Sequence, residues 1–376
     1  MKIVLGNTHL DPSTGGGYAH RTFALAHALK ELGHDVCLVA TDYNFGPPAL
    51  NETAGFNTIL LRTLVSRFFV PAFDQTQLDI ALQNASLVHL MGHWSVLNVW
   101  LARHAKRQSI PYVVCPAGAL PPFGRSKFIK ALFHFLFGKR LLRDAAKVIA
   151  VTAKEAANLA AFGVPSEKIL IVPNGVPEHF FAVTRSDEVR NQPTLSSAPY
   201  ILFVGRLNPI KGPDLLLQAY LKSGLATRGI HLDLAGPDEG MKESLAYAAR
   251  EAGVETSVHF LGFLDQQSKQ RAYSGALFLA IPSRSEAMSL VALEAAAMGR
   301  PVLLTDCCGF DEVASIGGGL VVPVDANAIS EALLKLTAFP PAELDAMGAR
   351  LREYVRAQFT WTTLAEALVE KSLKCA

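Results

Sequence analysis

The sequence predicts an α/β protein built from two doubly wound domains of similar size. Three observations carry that expectation. Short apolar runs alternate with segments whose apolar residues recur at helical spacing, the pattern of a mostly parallel sheet covered by helices. At 376 residues, half of them hydrophobic, the chain holds material for more than one compact core. The alternation stops over 183–199, where Thr, Ser, Asp, Asn and Pro replace the apolar pattern, and resumes at Tyr200. A first domain is therefore expected over 1–182, a linker over 183–199 and a second domain over 200–358. A terminal amphipathic helix over 359–376 is expected to pack back across the domain junction through Phe359 and Trp361.

In the first half, strands are expected at 3–6, 35–40, 57–61, 86–90, 112–115, 147–151 and 169–172. The first of them leads into Gly15-Gly16-Gly17 and then a helix over 18–32. Glycines there let a backbone pass close to a ligand, and a helix start favours an anion or a polar sugar; a plain flexible connection has the same composition. The spacing is not Gly-x-Gly-x-x-Gly, which disfavours a nicotinamide dehydrogenase. Ligands of doubly wound sheets collect at the carboxyl ends of the strands, so His93 and Ala117-Gly118 fall beside a candidate site. His89 lies within its strand and reads as a core or edge histidine.

The second half restarts with a strand over 200–204 that runs into Gly205-Arg206-Leu207-Asn208-Pro209-Ile210-Lys211-Gly212. Arg206 and Lys211 lie on a loop at a strand end, where an arginine fork and a lysine point charge can converge on one diphosphate. Further units follow, with strands at 231–235, 258–260, 276–281 and 301–305. The stretch 283–299 sets one carboxylate, Glu286, before a helix and another, Glu294, inside it. With a helix beginning near Met288, Glu294 lies about 9 Å along the axis, a diphosphate-to-ribose span. The backbone N–H groups of Met288, Ser289 and Leu290 would then face an anion, with Glu286 accepting from hydroxyls beyond the phosphates. Taken alone, the two glutamates read first as a surface loop residue and a salt-bridged helix residue. The cations on the neighbouring loop and the α/β context favour the site.

The net charge of +2 hides an asymmetry: residues 1–180 hold 17 Lys and Arg against 11 Asp and Glu, a net +6, and the remainder is −4. A basic first half points to an anionic partner such as a phospholipid surface. Within it, 127–143 carries Phe128, Ile129, Leu132, Phe133, Phe135, Leu136 and Phe137 around a narrow polar stripe of Lys127, Lys130 and His134. It ends on Lys139, Arg140 and Arg143. That composition suits an interfacial amphipathic helix or a helix packed between layers. Five cysteines, an odd count without Cys-x-x-Cys, point to reduced thiols and no structural metal. No signal-peptide pattern and no apolar run of about 18 residues is present, so a cytoplasmic protein is expected, at most peripheral to the inner face of the plasma membrane. The basic residues form no dense motif of the kind that binds nucleic acid.

Taken together, Gly205-Arg206 with Lys211-Gly212, Pro173-Asn174-Gly175-Val176, Ser283-Arg284-Ser285-Glu286 with Glu294, and Phe359-Thr360-Trp361 resemble the retaining nucleotide-sugar glycosyltransferases of family four. The resemblance implies the GT-B architecture, two Rossmann-like domains facing across a cleft, with no metal or other cofactor. It assigns Arg206 and Lys211 to the donor diphosphate, Glu286 to the transferred sugar, the backbone of Ala287, Met288, Ser289 and Leu290 to the phosphates, and Glu294 to the ribose. Gly205, Gly236 and Phe263 would border the nucleotide, and Gly16 and Gly17 the sugar or acceptor. The implied reaction moves a hexose from a UDP- or GDP-sugar to a lipid-linked or saccharide acceptor, as in bacterial cell-surface polysaccharide biosynthesis. Many relatives carry a histidine where this chain has Ala117, which leaves His93 as the nearby candidate for a catalytic polar group. A nucleotide-sugar epimerase and a non-catalytic donor-binding partner of another transferase are the alternatives.

Overall fold

The computed structural model describes residues 1–120, 126–182 and 198–373. The chain divides into two compact units. The first comprises Met1–Gly175 and the chain from Trp361 onward, and the second Val176–Thr360. Residues 176–182 thus group with the second unit rather than the first, and 183–197 of the expected linker lie outside the described residues.

The first unit is a seven-stranded parallel sheet. Its strands are β1 (Lys2–Gly6), β2 (Asp35–Thr41), β3 (Asn57–Leu61), β6 (Ala85–Met91), β7 (Tyr112–Cys115), β8 (Lys147–Ala150) and β9 (Ile169–Ile171), in the order β3-β2-β1-β6-β7-β8-β9. A short antiparallel pair, β4 (Thr63–Val65) and β5 (Val70–Pro71), interrupts the series after β3. The central strands are buried on both faces, as a parallel sheet between helical layers requires. Helix Val96–Arg107 is capped by Ser95, whose hydroxyl accepts from the Asn98 N–H, and it buries Leu97, Leu101 and Ala105 against the sheet at a spacing of one turn.

Helix Pro12–Glu31 corrects one expectation. It starts before the glycines, and the break in it falls at Gly16, whose φ of 54° and ψ of −142° are non-helical. The glycines are a kink inside a helical segment, closed by a Gly15 N–H to Asp11 carbonyl bond of 2.7 Å. Beyond the kink, the wholly buried Arg21 donates to the carbonyls of Val172 and Pro173 and to Asn174 Oδ1, and lies over the Trp361 ring. Helix Trp361–Leu373 packs on Pro12–Glu31 within this unit.

The second unit is a six-stranded parallel sheet of β10 (Tyr200–Val204), β11 (His231–Ala235), β12 (Val258–Gly262), β13 (Phe278–Ile281), β14 (Val302–Thr305) and β15 (Gly319–Val322), in the order β12-β11-β10-β13-β14-β15. The strand order reverses between β10 and β13. The loops leaving their carboxyl ends therefore diverge and open a crevice there.

Candidate active site at the carboxyl edge of the second sheet

The two loops that flank this switch point are 205–212 after β10 and 282–289 after β13, the two stretches in which cations and carboxylates were expected to meet. They are fastened to each other through the backbone. Arg284 donates its N–H to the Ile210 carbonyl at 2.8 Å, and its guanidinium grips Asp214 through both carboxylate oxygens, at 2.9 and 2.7 Å. Gly212, at φ 71°, lies against the Pro282 carbonyl so closely that a Cβ would overlap it. On the far side Glu286 and Ser289 donate their N–H groups to the carbonyls of Cys307 and Cys308, both at 2.9 Å, and Gly309 sits against the Ala287 carbonyl. Thr305 donates its hydroxyl to the Ser283 carbonyl. The buried Cys308 thiol donates to the Ile281 carbonyl at 3.3 Å; burial, then the Glu286 carboxylate, push its pKa up to about 12, so it stays a thiol.

A parallel arrangement joins the loops after β10, β11 and β12. Gly205 donates to the Ala235 carbonyl at 2.9 Å and Gly236 to the Gly262 carbonyl at 2.7 Å. Gly236, at φ 140°, presses on the Gly205 carbonyl where no Cβ could fit. Leu207 and Asp238 form an isolated parallel bridge. Gly205, Gly236 and the 76% exposed Phe263 thus stand at the ends of neighbouring strands on one edge.

Within this frame Lys211 Nζ lies 3.0 Å from Glu286 Oε1, which also accepts from the Ser283 hydroxyl. Glu286 Oε2 has no partner among the described residues and is the open acceptor of the group. Arg206 is held elsewhere: its Nη1 meets Glu239 Oε1 at 2.7 Å, and Asn208 Nδ2 meets Glu239 Oε2 at 2.6 Å. The expected convergence of Arg206 and Lys211 is therefore replaced by two separate ion pairs, each cation resting on its own carboxylate.

Helix Leu290–Ala297 begins two residues later than expected, with Ser289 as its N-cap. The shift changes the geometry read from sequence. Glu294 is four residues into the helix, about 6 Å along its axis. The Ser289 N–H is already bonded to Cys308 and does not face an anion, and Met288 is buried; the first-turn N–H groups of Leu290 and Val291 have no acceptor among the described residues. Glu294 is fixed by Lys269 Nζ at 2.8 Å and by the Tyr273 hydroxyl at 2.7 Å. Burial, then the same carboxylate, hold the tyrosine pKa well above its usual value, so it remains a donor.

In the first unit the polar candidate fails. His93 is fully buried, with its Nε2 at 3.2 Å from His134 Nδ1 and its ring edge-on to Trp94. Burial, then His134, lower its pKa to about 3, so it is neutral at ordinary pH. It is a core residue under the helical segment 127–144, without the solvent access a catalytic group needs. Ala117, at φ 46°, and Gly118 form a left-handed turn held by the buried Glu155, which accepts the N–H groups of Gly118 and Val151. No Cβ contact constrains Gly16 or Gly17, so a backbone approach there is open.

Two family models match consecutive stretches, "Glycosyl transferase 4-like domain" over 16–175 and "Glycosyl transferases group 1" over 198–338. The chain belongs to the group 1 glycosyltransferases. Similar proteins include the D-inositol 3-phosphate glycosyltransferase of Nocardia farcinica, 31% identical over 62% of this chain and 53% of that protein. The match spans about half the length of such relatives. Among solved structures, sucrose-phosphate synthase from Thermosynechococcus elongatus aligns with a TM-score of 0.77 at 22% identity, covering 98% of this chain and 97% of that one. The HepE protein of Anabaena, solved with UDP and glucose, aligns at 0.76 and 18% identity, covering 98% of both chains. These likenesses establish the GT-B class of fold.

Reading the sequence missed Arg284, Asp214, Glu239 and Ser283. Arg284 and Ser283 were quoted within a motif without a role. The only signal for the Arg284–Asp214 pair was an unpaired-looking cation beside a loop whose partner lay 70 residues away.

Proposed function

We propose that the protein is a retaining hexosyltransferase that uses a UDP- or GDP-sugar and transfers to a lipid-linked or saccharide acceptor, in bacterial cell-surface polysaccharide assembly. The observation that carries the donor half of this reading is the Lys211–Glu286 pair at the strand-order switch, with an open carboxylate oxygen beside it and unpaired helix amides on the same loop. A diphosphate entering there exchanges Glu286 for phosphate oxygens at Lys211, and Arg206 leaves Glu239 in the same way. The freed Glu286 accepts hydroxyls of the transferred sugar. Leu290 and Val291 donate to the phosphates, and Glu294, anchored but with lone pairs remaining, accepts from the ribose.

In the reaction the acceptor oxygen attacks the anomeric carbon from the side on which the carbon–oxygen bond to the diphosphate breaks, and a phosphate oxygen takes the acceptor proton. Fixed cations and amides stabilise the departing charge. The same charges make a bound metal unnecessary, so a chelator is expected to leave turnover unchanged. The HepE structures with UDP, glucose and UDP-glucose support a UDP-sugar as the first donor to try.

The acceptor half rests on 127–144, a helical segment with a wider π-helical turn over His134–Gly138. Its outward face carries Phe128, 92% exposed, Phe135, 73% exposed, and Ile129, Leu132 and Leu136. A patch of that composition suits peripheral contact with an anionic membrane on the cytoplasmic side. No helix among the described residues is long and apolar enough to cross a membrane.

The deciding experiment is transfer from radiolabelled UDP- and GDP-hexoses to lipid-linked saccharide primers, wild type against Arg206→Ala/Lys211→Ala. Loss of two charge-assisted contacts predicts at least a hundredfold fall in kcat/KM. Wild-type rates in the double variant would dismiss the phosphate role.

A further inference from the structure

On the first unit a cavity of about 470 Å³ opens between helices Val96–Arg107 and Lys139–Asp144. Arg103, Lys106, Arg107 and Arg140 line it, with Asp144 as the sole carboxylate of its lining. Asp144 is shared by three cations: Lys106 at 2.6 Å, Arg143 at 3.0 Å and Arg140 at 3.4 Å. Those three side chains are more than half exposed. The Arg103 guanidinium lies over the Phe137 ring at 5.3 Å, which holds it at the cavity wall. The site keeps an excess of cations over a partly apolar floor that includes Val99, Leu141 and Phe137.

Its position separates it from the chemistry. Tyr112, in its wall, is the first residue of β7, and Arg103–Arg107 form the last turn of their helix, so the cavity lies at the amino edge of the first sheet. Segment 127–144 starts on the carboxyl side, after the Ala117-Gly118 turn, and ends at this cavity on the amino side. The exposed apolar face of that segment and the arginine cavity are therefore consecutive along one helical run.

We infer that the cavity is a binding site for the phosphate headgroup of an anionic phospholipid, which seats the adjoining apolar face in the bilayer. The inference rests on the reading that 127–144 meets a membrane, and it adds a discrete headgroup site distinct from the acceptor end. Charge complementarity selects an anionic lipid: guanidinium forks pair with phosphate oxygens, and zwitterionic surfaces offer no net attraction.

The test is cosedimentation of the full chain with phosphatidylcholine vesicles, with and without about one third phosphatidylglycerol. Wild type is expected to bind only the anionic vesicles. Arg103→Gln/Arg107→Gln is expected to weaken that binding about thirtyfold, two basic residues each acting at the strength known at anionic surfaces. Lys139→Gln/Arg143→Gln, which removes exposed cations outside the lining, is expected to weaken it less than about threefold, most of the surface charge being screened there. UDP affinity and the thermal midpoint of the cavity variant should match wild type, showing that it folds. Equal losses in the two double variants would mean diffuse charge and would overturn the headgroup site while leaving membrane contact standing. Absence of wild-type binding to either vesicle would overturn both.

Discussion

Replacing Glu286 by glutamine separates two effects that most site variants confound. Glu286 pairs with Lys211 at 3.0 Å, and its side chain is only 8% exposed. At an effective dielectric of about 20 that attraction is worth about 5 kcal/mol before desolvation. Desolvation of the nearly buried carboxylate takes back most of it, leaving about 1–2 kcal/mol that an incoming diphosphate must displace. Glutamine removes both this competition and a negative charge beside the phosphates. UDP should therefore bind Glu286→Gln about 5- to 30-fold more tightly than wild type, measured by titration calorimetry with GDP in parallel. Transfer should move the opposite way. Loss of a charged acceptor for the sugar hydroxyls costs about 1.5–3 kcal/mol, a fall of about 10- to 100-fold in kcat. Weaker or unchanged UDP binding in the variant would refute the view that Glu286 guards the lysine.

Two further predictions concern the first unit. Arg21→Ala strips donors from two carbonyls and Asn174 at a fully buried site and should destabilise the protein by about 3 kcal/mol or more, read as a drop in the denaturant midpoint at unchanged slope. His89 and His93 both have folded pKa values lowered to about 3, each mainly by burial. Their stabilising contribution is complete above the unfolded value of about 6.5 and is lost as pH falls toward 3, at about 1.4 kcal/mol per pH unit for each group. The thermal midpoint of His89→Gln/His93→Gln should consequently fall less steeply than that of wild type between pH 6 and 4.

The strands were legible because parallel strands buried on both faces read as plain apolar runs. Tyr200–Val204, His231–Ala235 and Tyr112–Cys115 coincide with the expected segments. Strand Gly319–Val322 was missed: it opens on a run of three glycines, Gly317-Gly318-Gly319, which reads as a turn, and only its first residue is buried. Loop chemistry was half legible. Glycine, arginine and lysine at a strand end marked the place, but which carboxylate each cation meets depends on contacts such as Arg206 with Glu239, 33 residues away. The helix, expected from near Met288, starts at Leu290 because the Ser289 N–H is held by the Cys308 carbonyl while the Ser289 hydroxyl caps the Ala292 N–H, and the first of these contacts comes from a segment 19 residues away. Segment 127–143 shows the limit most plainly. Its sequence is apolar on almost every side, and His134, expected on the polar stripe, turns inward to His93 while Phe128 and Phe135 face out.

The loops of the second unit are locked to one another by main-chain bonds and by glycines that leave no room for a Cβ at 212, 236 and 309. Scaffold and selectivity are thereby assigned to different atoms. Asn208 belongs to that frame, because its buried side-chain oxygen accepts the Lys211 N–H at 3.0 Å. Side chains such as Arg206, Glu239 and Phe263 extend from it without making its main-chain bonds, so on the proposed donor reading the preference can be rewritten by mutagenesis without re-solving the folding problem. Libraries that randomise those three positions and spare Asn208 and the three glycines should keep a high fraction of folded members, whereas randomising the glycines should not.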